Sequence, residues 1–261
     1  MSFVLTELLG EEKNILKIIL NRPEMRNAFN TKMAEQLLSI FRNTMHDVQI
    51  RVVVLSSSDP MSFCSGADLK ERKGMSDEDW RLQHQLFEDM VYALEDLPQP
   101  TIAIVEGFAL AGGFELALNC DLIIASENAK FGLPEVTRGI MPGCGGARLL
   151  PQRVPLHIAK EWLFTGRIVD AQEAYEVGLL NKLVKNNELQ SYGLELACKI
   201  ASNAPIGVKG TKAVTNKVLT MNTKDARQFE IDTYNKVILS EDRLEGVLAF
   251  NEKRHPVFKG K

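Results

Sequence analysis

Residues 107–146 read GFALAGGFELALNCDLIIASENAKFGLPEVTRGIMPGCGG, and this stretch decides the fold because two carboxylates, several glycine-rich turns and a small-residue helix start lie within it. Glu115 follows the sequence GGF, where an apolar strand predicted at 101–105 gives way to a helical run. A carboxylate placed there lies beside helix N-terminal amides, which can hold an anion. Glu135 follows Pro134 among apolar residues, whose burial would raise the pKa of its carboxyl group. Two acids beside one set of amides indicate proton-transfer chemistry.

Each acid also has a purely structural interpretation. Glu115 could simply be a favourable negative charge near a helix start, and Glu135 could be a first-turn acid of a short helix that begins at Pro134. The glycines at 143–146 complete neither GxGxxG nor GxxxxGK[ST], so they do not indicate a nucleotide-phosphate loop. The residues alone therefore leave the structural and the catalytic interpretations of both acids open.

Apolar periodicity on either side of this stretch predicts the remaining elements. Towards the N-terminus it indicates a hairpin formed by 3–6 and 15–20, an amphipathic helix at 31–46 and a buried strand at 51–56. Another buried strand is expected at 121–125. The chain beyond Gly146 is predicted to be helical, at 145–153, 155–164, 170–176, 187–203, 205–219 and 223–239, with one strand at 181–184.

A second small-residue turn occurs earlier, where FCSGADLKER at 63–72 passes into a short, charged helical run. A ligand could approach that backbone closely. Ser76, with Asp79 three residues on, is typical of the N-cap that starts a second amphipathic helix. The alternation of short strands and helices predicts an α/β core at 1–200, on which a helical subdomain at 201–261 packs.

Composition limits the function classes. The chain has 261 residues, 45% of them hydrophobic and 25% charged, which is typical of a globular protein with a large core. Its net charge of −3 argues against a general attraction to nucleic acid. The four histidines are isolated, so no metal site is expected. The four cysteines lack a CxxC spacing, and we expect reduced thiols; they are Cys64, Cys120, Cys144 and Cys198.

The N-terminal sequence MSFVLTELLGEEKN has neither the basic start and apolar centre of a signal peptide nor the arginine-rich character of a transit peptide. No apolar run in the sequence approaches the ~18 residues that a membrane span requires. We therefore expect a cytoplasmic protein without a membrane partner.

Five segments make the sequence similar to the crotonase, or enoyl-CoA hydratase, superfamily over nearly its whole length. They are FCSGADLKE, GFALAGGFELALNCDLIIA, FGLPE, GIMPGCGG and AQEAYEVGLLNKLV. Within that superfamily, GADLKER and DRLEGVLAFNEKR most resemble the branch of methylglutaconyl-CoA hydratases that includes the AU-rich-RNA-binding hydratase. The resemblance implies an α/β fold in which repeated strand–strand–helix units form a spiral. It also implies a C-terminal helical region that assembles homotrimers, which often pair into hexamers.

The resemblance also implies an active site. The backbone amides of Ala67 and Gly112 would hold the thioester carbonyl of an acyl-CoA substrate as an oxyanion hole. Glu115 and Glu135 would share one water molecule, which Glu115 deprotonates for attack on Cβ while Glu135 delivers a proton to Cα. The sequence departs from the family at Ala111, where a third glycine is usual, and at Arg148, which stands one place early.

Coenzyme A contacts carry over by the same resemblance to two parts of the chain, namely Ala67, Asp68, Leu69 and Lys70, and Phe250 and Lys253 from a neighbouring subunit. Coenzyme A belongs to the substrate, so no separate cofactor is expected.

Three functions follow from the resemblance. The first is hydration of an enoyl-CoA, including a carboxylated one such as 3-methylglutaconyl-CoA, and the second is double-bond isomerisation that needs only Glu135. The third is RNA binding, which the sequence disfavours because residues 32–51 carry few fixed positive charges. Arg72, Lys73 and Arg138 are the candidate partners for a substrate carboxylate.

Overall fold

The computed structural model describes residues 2–261, which contain ten β-strands in two sheets. The strands are β1 (Val4–Leu9), β2 (Ile15–Leu20), β3 (Val52–Ser57), β4 (Ser62–Cys64), β5 (Thr101–Val105), β6 (Phe108–Leu110), β7 (Leu122–Ser126), β8 (Lys130–Gly132), β9 (Ile168–Asp170) and β10 (Lys182–Val184). One sheet has the order β1-β2-β3-β5-β7-β10, and the other has the order β4-β6-β8-β9.

The same residues form ten α-helices, and most of the helices that the sequence predicts are confirmed within a few residues. They are α1 (Thr31–Met45), α2 (Asp77–Glu95), α3 (Gly112–Leu118), α4 (Gly146–Arg153), α5 (Leu156–Thr165), α6 (Ala171–Glu176), α7 (Leu189–Ala201), α8 (Pro205–Lys217), α9 (Thr223–Val237) and α10 (Glu241–Glu252).

Strand–strand–helix units repeat along the core, as the family resemblance implies. In the units that start at β3, β5 and β7, the first strand joins the six-stranded sheet, the second joins the four-stranded sheet, and a helix follows. Corresponding strands of successive units pair in parallel, whereas β1 and β2 form the predicted antiparallel hairpin. This winding brings the turns between second strands and helices to one region, where the candidate site lies.

Local capping starts the two long helices of the core. The Asn30 side chain accepts a hydrogen bond from the Met33 amide at the start of α1, and the Ser76 side chain accepts one from the Asp79 amide at the start of α2. The Ser76 cap confirms the sequence prediction. Both helices bury an apolar stripe against the sheets and each other, and burying each large apolar side chain stabilises the fold by about 1.5–3 kcal/mol.

Several elements differ from the sequence predictions. The strands of the four-stranded sheet were not predicted, because three residues are too few to show an alternating pattern. The apolar periodicity of the sequence also did not predict helix α10. The predicted helical run that ends at Arg72 is wrong: hydrogen-bonded turns occupy this segment, where the Asp68 carboxylate accepts the Lys70 and Glu71 amides.

The C-terminal helices and the turn between α9 and α10 present much apolar surface. Tyr234, Leu239 and Phe250 are 63%, 85% and 84% exposed, whereas Asp242 is buried and accepts hydrogen bonds from the Lys259 and Gly260 amides. The division into a core at 1–200 and a helical subdomain at 201–261 stays a prediction. In the part of the chain that the structure describes, no helix is both long and apolar enough to cross a membrane.

Candidate active site

A cavity of about 730 Å³ lies where the turn after β4, the start of α3, the loop before α4 and one face of α2 meet. Its lining includes all four residues that the family resemblance implies for catalysis, namely Ala67, Gly112, Glu115 and Glu135. They come from three separate turns, so the spiral winding is what brings them together.

Glu115 lies in the first turn of α3 and is only 2% exposed. Its Oε1 accepts hydrogen bonds from the amides of Cys144 at 2.7 Å and Gly146 at 2.8 Å. Glu115 thus lies at the start of α3, as predicted, but the amides that bind its carboxylate come from Gly146, which begins α4, and from the loop before it. Burial raises the pKa of Glu115, and the two amides oppose that rise because they stabilise the ionised form.

Asn119 holds the loop that carries these amides, and sequence reasoning did not identify it. Its Nδ2 donates to the carbonyl oxygens of Cys144 at 3.0 Å and Glu115 at 2.8 Å. The sequence did offer one signal: Asn119 stands four residues after Glu115, so the two side chains lie on the same face of a helix. A Cβ at position 146 would lie 3.1 Å from Glu115 Cγ, so the glycine there permits the close approach of loop and acid.

Glu135 occupies the first turn of a 3₁₀ helix, Pro134–Arg138, and is 7% exposed. Its Oε2 is buried and has no hydrogen-bond partner among the described residues. Burial raises the pKa of this carboxyl to about 7; the nearby Glu115 adds to the rise and the amide of Glu135 itself opposes it. Glu135 is therefore able to hold and release a proton near neutral pH.

Replacing Glu135 by Gln should stabilise the protein at about pH 8 and have little effect at about pH 4. The folded-state pKa of about 7 exceeds the ordinary value of 4.5, so wild-type stability falls as the pH rises between these values. The glutamine removes that loss, which is on the order of 1–3 kcal/mol. Urea unfolding at both pH values measures the difference, and an equal effect at the two would contradict the raised pKa.

The amides of Ala67 and Gly112 are available to a ligand. The Phe29 amide donates to the Gly66 carbonyl, and the Asp68 amide donates to the Phe29 carbonyl. In this parallel bridge the Ala67 amide points away from Phe29, so Phe29 does not occupy it. Gly112 begins α3, where helix amides lack an intrahelical partner. A Cβ at position 66 would lie 3.0 Å from the Gly112 nitrogen, so the two turns are in direct contact.

Ala111 holds the turn that orients the Gly112 amide. Its φ of 52° and ψ of −131° form a conformation that glycine adopts readily and alanine rarely does. This is the position at which the family usually has a third glycine, so the alanine keeps the turn at a cost of about 1–3 kcal/mol.

The segment that the resemblance assigns to coenzyme A is divided in the structure. Ala67 and Leu69 line the cavity, and Lys70 is exposed. Asp68 is buried, and its carboxylate forms an ion pair with Arg22 at 2.7 Å. Although burial alone would raise the pKa of Asp68, Arg22 and the Lys70 amide outweigh it and lower the pKa. Asp68 thus supports the turn, and its contact with coenzyme A stays a prediction.

Phe250 and Lys253 lie at the end of α10 and are not among the residues that line the cavity. A single chain therefore does not bring them to the other site residues. Their predicted role, as contacts contributed by a neighbouring subunit, also stays a prediction.

Cys144 and Cys64 are surrounded like side chains of the packed core. Both are buried, and burial raises the pKa of each thiol, that of Cys64 to about 12. Within residues 2–261, no three His, Cys, Asp or Glu side chains are grouped so that they could hold a metal ion.

Comparison with known proteins adds an independent observation. A family model described as "Enoyl-CoA hydratase/isomerase" matches residues 10–261. The chain is 40% identical to "Probable enoyl-CoA hydratase 2, mitochondrial" of Arabidopsis thaliana over 98% of its own length and 85% of the relative's. It is 37% identical to "Short-chain-enoyl-CoA hydratase" of Clostridium acetobutylicum over 95% of each chain. A crystal structure of enoyl-CoA hydratase from Bacillus anthracis superposes with a TM-score of 0.96 at 39% identity, over 99% of this chain and 100% of the other.

Proposed function

This chain belongs to the enoyl-CoA hydratase/isomerase family, and we propose that it is a hydratase that adds water across the 2,3 double bond of an enoyl-CoA thioester. The observation that carries the proposal is one cavity lined by two buried acids, Glu115 and Glu135, beside the two available amides of Ala67 and Gly112. Both acids are required for hydration, whereas the oxyanion hole is common to other reactions of thioesters.

The oxyanion hole binds the substrate first. The Ala67 and Gly112 amides donate to the thioester oxygen, which becomes more negative when the double bond is attacked. Each such donor contributes about 3–4 kcal/mol to stabilising the transition state. Because the amides are held by backbone turns, they need little reorganisation as the charge develops.

The two acids then exchange protons with water and substrate. Glu115 removes a proton from a water molecule as the water oxygen bonds to Cβ, and the π electron pair moves to form the enolate of the thioester. Glu135 donates its proton to Cα, which restores the carbonyl and yields the 3-hydroxyacyl-CoA. Each transfer contributes about 10²- to 10⁴-fold to the rate. Return of the proton from Glu115 to Glu135 completes the cycle, and neither metal nor further cofactor is needed.

The environments of the two acids support this division of roles. Glu115 receives two amide hydrogen bonds, which favour its carboxylate and suit a base. Glu135 has an unpartnered oxygen and a pKa raised to about 7 by burial, which suit an acid. Double-bond isomerisation would need only Glu135. The two amide hydrogen bonds that position the Glu115 carboxylate therefore favour hydration.

The wild-type protein should convert crotonyl-CoA to 3-hydroxybutyryl-CoA, with kcat/KM declining as the pH rises through about 7 because Glu135 must be protonated. It should also decline at low pH, where Glu115 becomes protonated. The loss of ultraviolet absorbance of the enoyl thioester measures the rate, and chromatography identifies the product. A protein that moves the double bond of a 3-enoyl-CoA but hydrates no 2-enoyl-CoA would be an isomerase, contrary to the proposal.

The proposal extends to the oligomeric state of the protein, its cellular location and the acyl group of its substrate. We propose a homotrimer or a hexamer in the cytoplasm, and the exposed apolar side chains of α9 and α10 support the assembly. A mass equal to that of a single chain, measured by light scattering, would contradict the proposed assembly. A carboxylated acyl group such as that of 3-methylglutaconyl-CoA would require a cation inside the acyl-binding part of the cavity.

A further inference from the structure

Arg153, the last residue of α4, binds the end of α3. Its Nη2 donates hydrogen bonds to the carbonyl oxygen of Leu118 at 2.8 Å and to that of Cys120, and its Nη1 donates to that of Asp121 at 3.4 Å. Leu118 is the last residue of α3, where helix carbonyls lack an intrahelical partner. One guanidinium group thus binds three carbonyls where α3 ends.

The opposite end of α4 is attached to the start of α3. Gly146, the first residue of α4, donates its amide to the Glu115 carboxylate at 2.8 Å, and Glu115 lies in the first turn of α3. The two attachments are the ends of an eight-residue helix, roughly 12 Å apart. The base of the proposed reaction is therefore held by a helix whose far end depends on Arg153.

The internal hydrogen bonds of α4 are few. Besides being short, the helix contains Pro151, which has no amide hydrogen to donate. A helix of this kind is stabilised mainly by what holds it from outside. Loss of the bonds from Arg153 should therefore let α4, and with it the Gly146 amide, shift relative to α3.

The charge of Arg153 is used to bind carbonyls. Burial lowers the pKa of this guanidinium, and the neighbouring Cys120 and Asp121 oppose that change. The Asp121 carboxylate, however, accepts its hydrogen bonds from Lys212 Nζ at 2.7 Å and from the Thr101 amide at 2.7 Å. Among the residues from 2 to 261, every hydrogen bond of the Arg153 side chain goes to a backbone carbonyl. A buried cation bound in this way fixes the relative position of two backbone segments.

We propose that Arg153 is a positioning residue for the catalytic base: by fixing the far end of α4 to α3, it keeps the Gly146 amide against the Glu115 carboxylate. Arg153 does not line the active-site cavity, so it acts through α4 and not on the substrate. This inference rests on the proposed hydratase function, and it adds a residue outside the cavity on which the rate depends.

Arg153→Met should lower kcat for crotonyl-CoA hydration about 10- to 100-fold and change KM less than about threefold, because a displaced base reacts slowly while the substrate still binds. The acid limb of the pH profile of kcat/KM should also move to higher pH. The Gly146 and Cys144 amides favour the ionised form of Glu115, so weaker bonds from them raise its pKa. Glu135 and the Cys144 thiol, which also lie near Glu115, are unchanged in the variant. Arg153→Lys keeps the charge but has fewer donors, and it should retain part of kcat.

Two other arginines provide matched controls. Arg148 lies on the same helix, but it is partly exposed and forms an ion pair with an acid of α2 at 2.6 Å. Arg51 is mostly buried and, like Arg153, donates to backbone carbonyls, to that of Ala201 at 3.0 Å and to that of Phe258 at 2.7 Å. Arg148→Met and Arg51→Met should keep kcat within about threefold of wild type and leave the acid limb in place, although Arg51→Met should lower the urea midpoint.

Hydrogen–deuterium exchange measured by mass spectrometry tests the inference without a substrate. Peptides that contain the Gly146 amide should exchange about tenfold faster in Arg153→Met than in wild type, and the acceleration should be confined to α4 and the loop before it. Both control variants should leave the exchange of these peptides unchanged.

An unchanged kcat in Arg153→Met would overturn the proposal. A loss of kcat with an unmoved acid limb, or faster exchange spread over the whole chain, would also overturn it, because either result would mean that Arg153 only stabilises the fold. If wild type hydrates no enoyl-CoA, the hydratase function fails and the exchange experiment alone decides. Local acceleration in Arg153→Met would then support the positioning role, and unchanged exchange would refute it.

Discussion

Replacing Glu115 by Gln should lower kcat for crotonyl-CoA hydration by about 10²- to 10⁴-fold and change KM little, because the variant loses the base that activates water. The substitution is conservative for the fold. A glutamine oxygen can accept the Cys144 and Gly146 amides as Glu115 Oε1 does, so the loop before α4 keeps its position. The loss should therefore be confined to the chemical step.

The control is Glu106→Gln. Burial raises the pKa of Glu106 too, but this acid does not line the cavity, and its replacement should leave kcat near the wild-type value. Steady-state kinetics with crotonyl-CoA measure both variants, and unfolding curves confirm that both are folded. Nearly full activity of Glu115→Gln would refute the mechanism with two acids and favour isomerisation with Glu135 alone.

Gly112→Ala should reduce kcat/KM by about 10²-fold, because the new Cβ would displace an oxyanion-hole amide. That Cβ would lie 2.5 Å from Phe29 Cζ, closer than real atoms allow. Phe29 is 1% exposed and packed against Phe87, so the ring cannot easily move away. Overpacking of this kind also destabilises a fold by about 1–3 kcal/mol.

The companion variant Phe29→Leu distinguishes the steric cause from a general effect of alanine. Combined with Gly112→Ala, it removes the ring atoms that clash, and part of kcat/KM should return. Gly207→Ala is the control, because a Cβ at this position in the first turn of α8 would have no atom nearer than 4.0 Å apart from the backbone of its own helix. Kinetics and urea unfolding of the four proteins give the result. Wild-type kcat/KM in Gly112→Ala would show that this amide does not bind the reacting oxygen.

The sequence was sufficient for elements whose apolar pattern is long. The stripe of α1 and the Ser76 cap of α2 are local features, and both appear where they were predicted. The second sheet depends on three-residue strands that are stabilised by their neighbours, so no local pattern marks them. The segment before Arg72 was misjudged because the Asp68 carboxylate captures amides that a helix would need.

The candidate site shows the same limit. Glu115 and Glu135 could be singled out because each follows a distinctive turn, and the family resemblance then suggested their roles. The partners of Glu115 could not be derived, since its hydrogen bonds reach Cys144 and Gly146 across 29 and 31 residues of sequence. The position of Arg72 over the Trp80 and Phe87 rings likewise depends on how α2 packs, so the sequence could name Arg72 only as one of several candidate cations.

The loop closure between Glu115 and Gly146 has a consequence for how such an enzyme can evolve. The hydrogen bonds that position the base begin and end within one continuous segment, which also carries Gly112 and Glu135. Arg72 and Trp80, which line the same cavity, belong to an earlier part of the chain. Point mutations of these two wall residues can thus reshape the cavity while both acids and their hydrogen bonds are inherited unchanged, whereas recombination of the whole upstream segment would also replace Ala67.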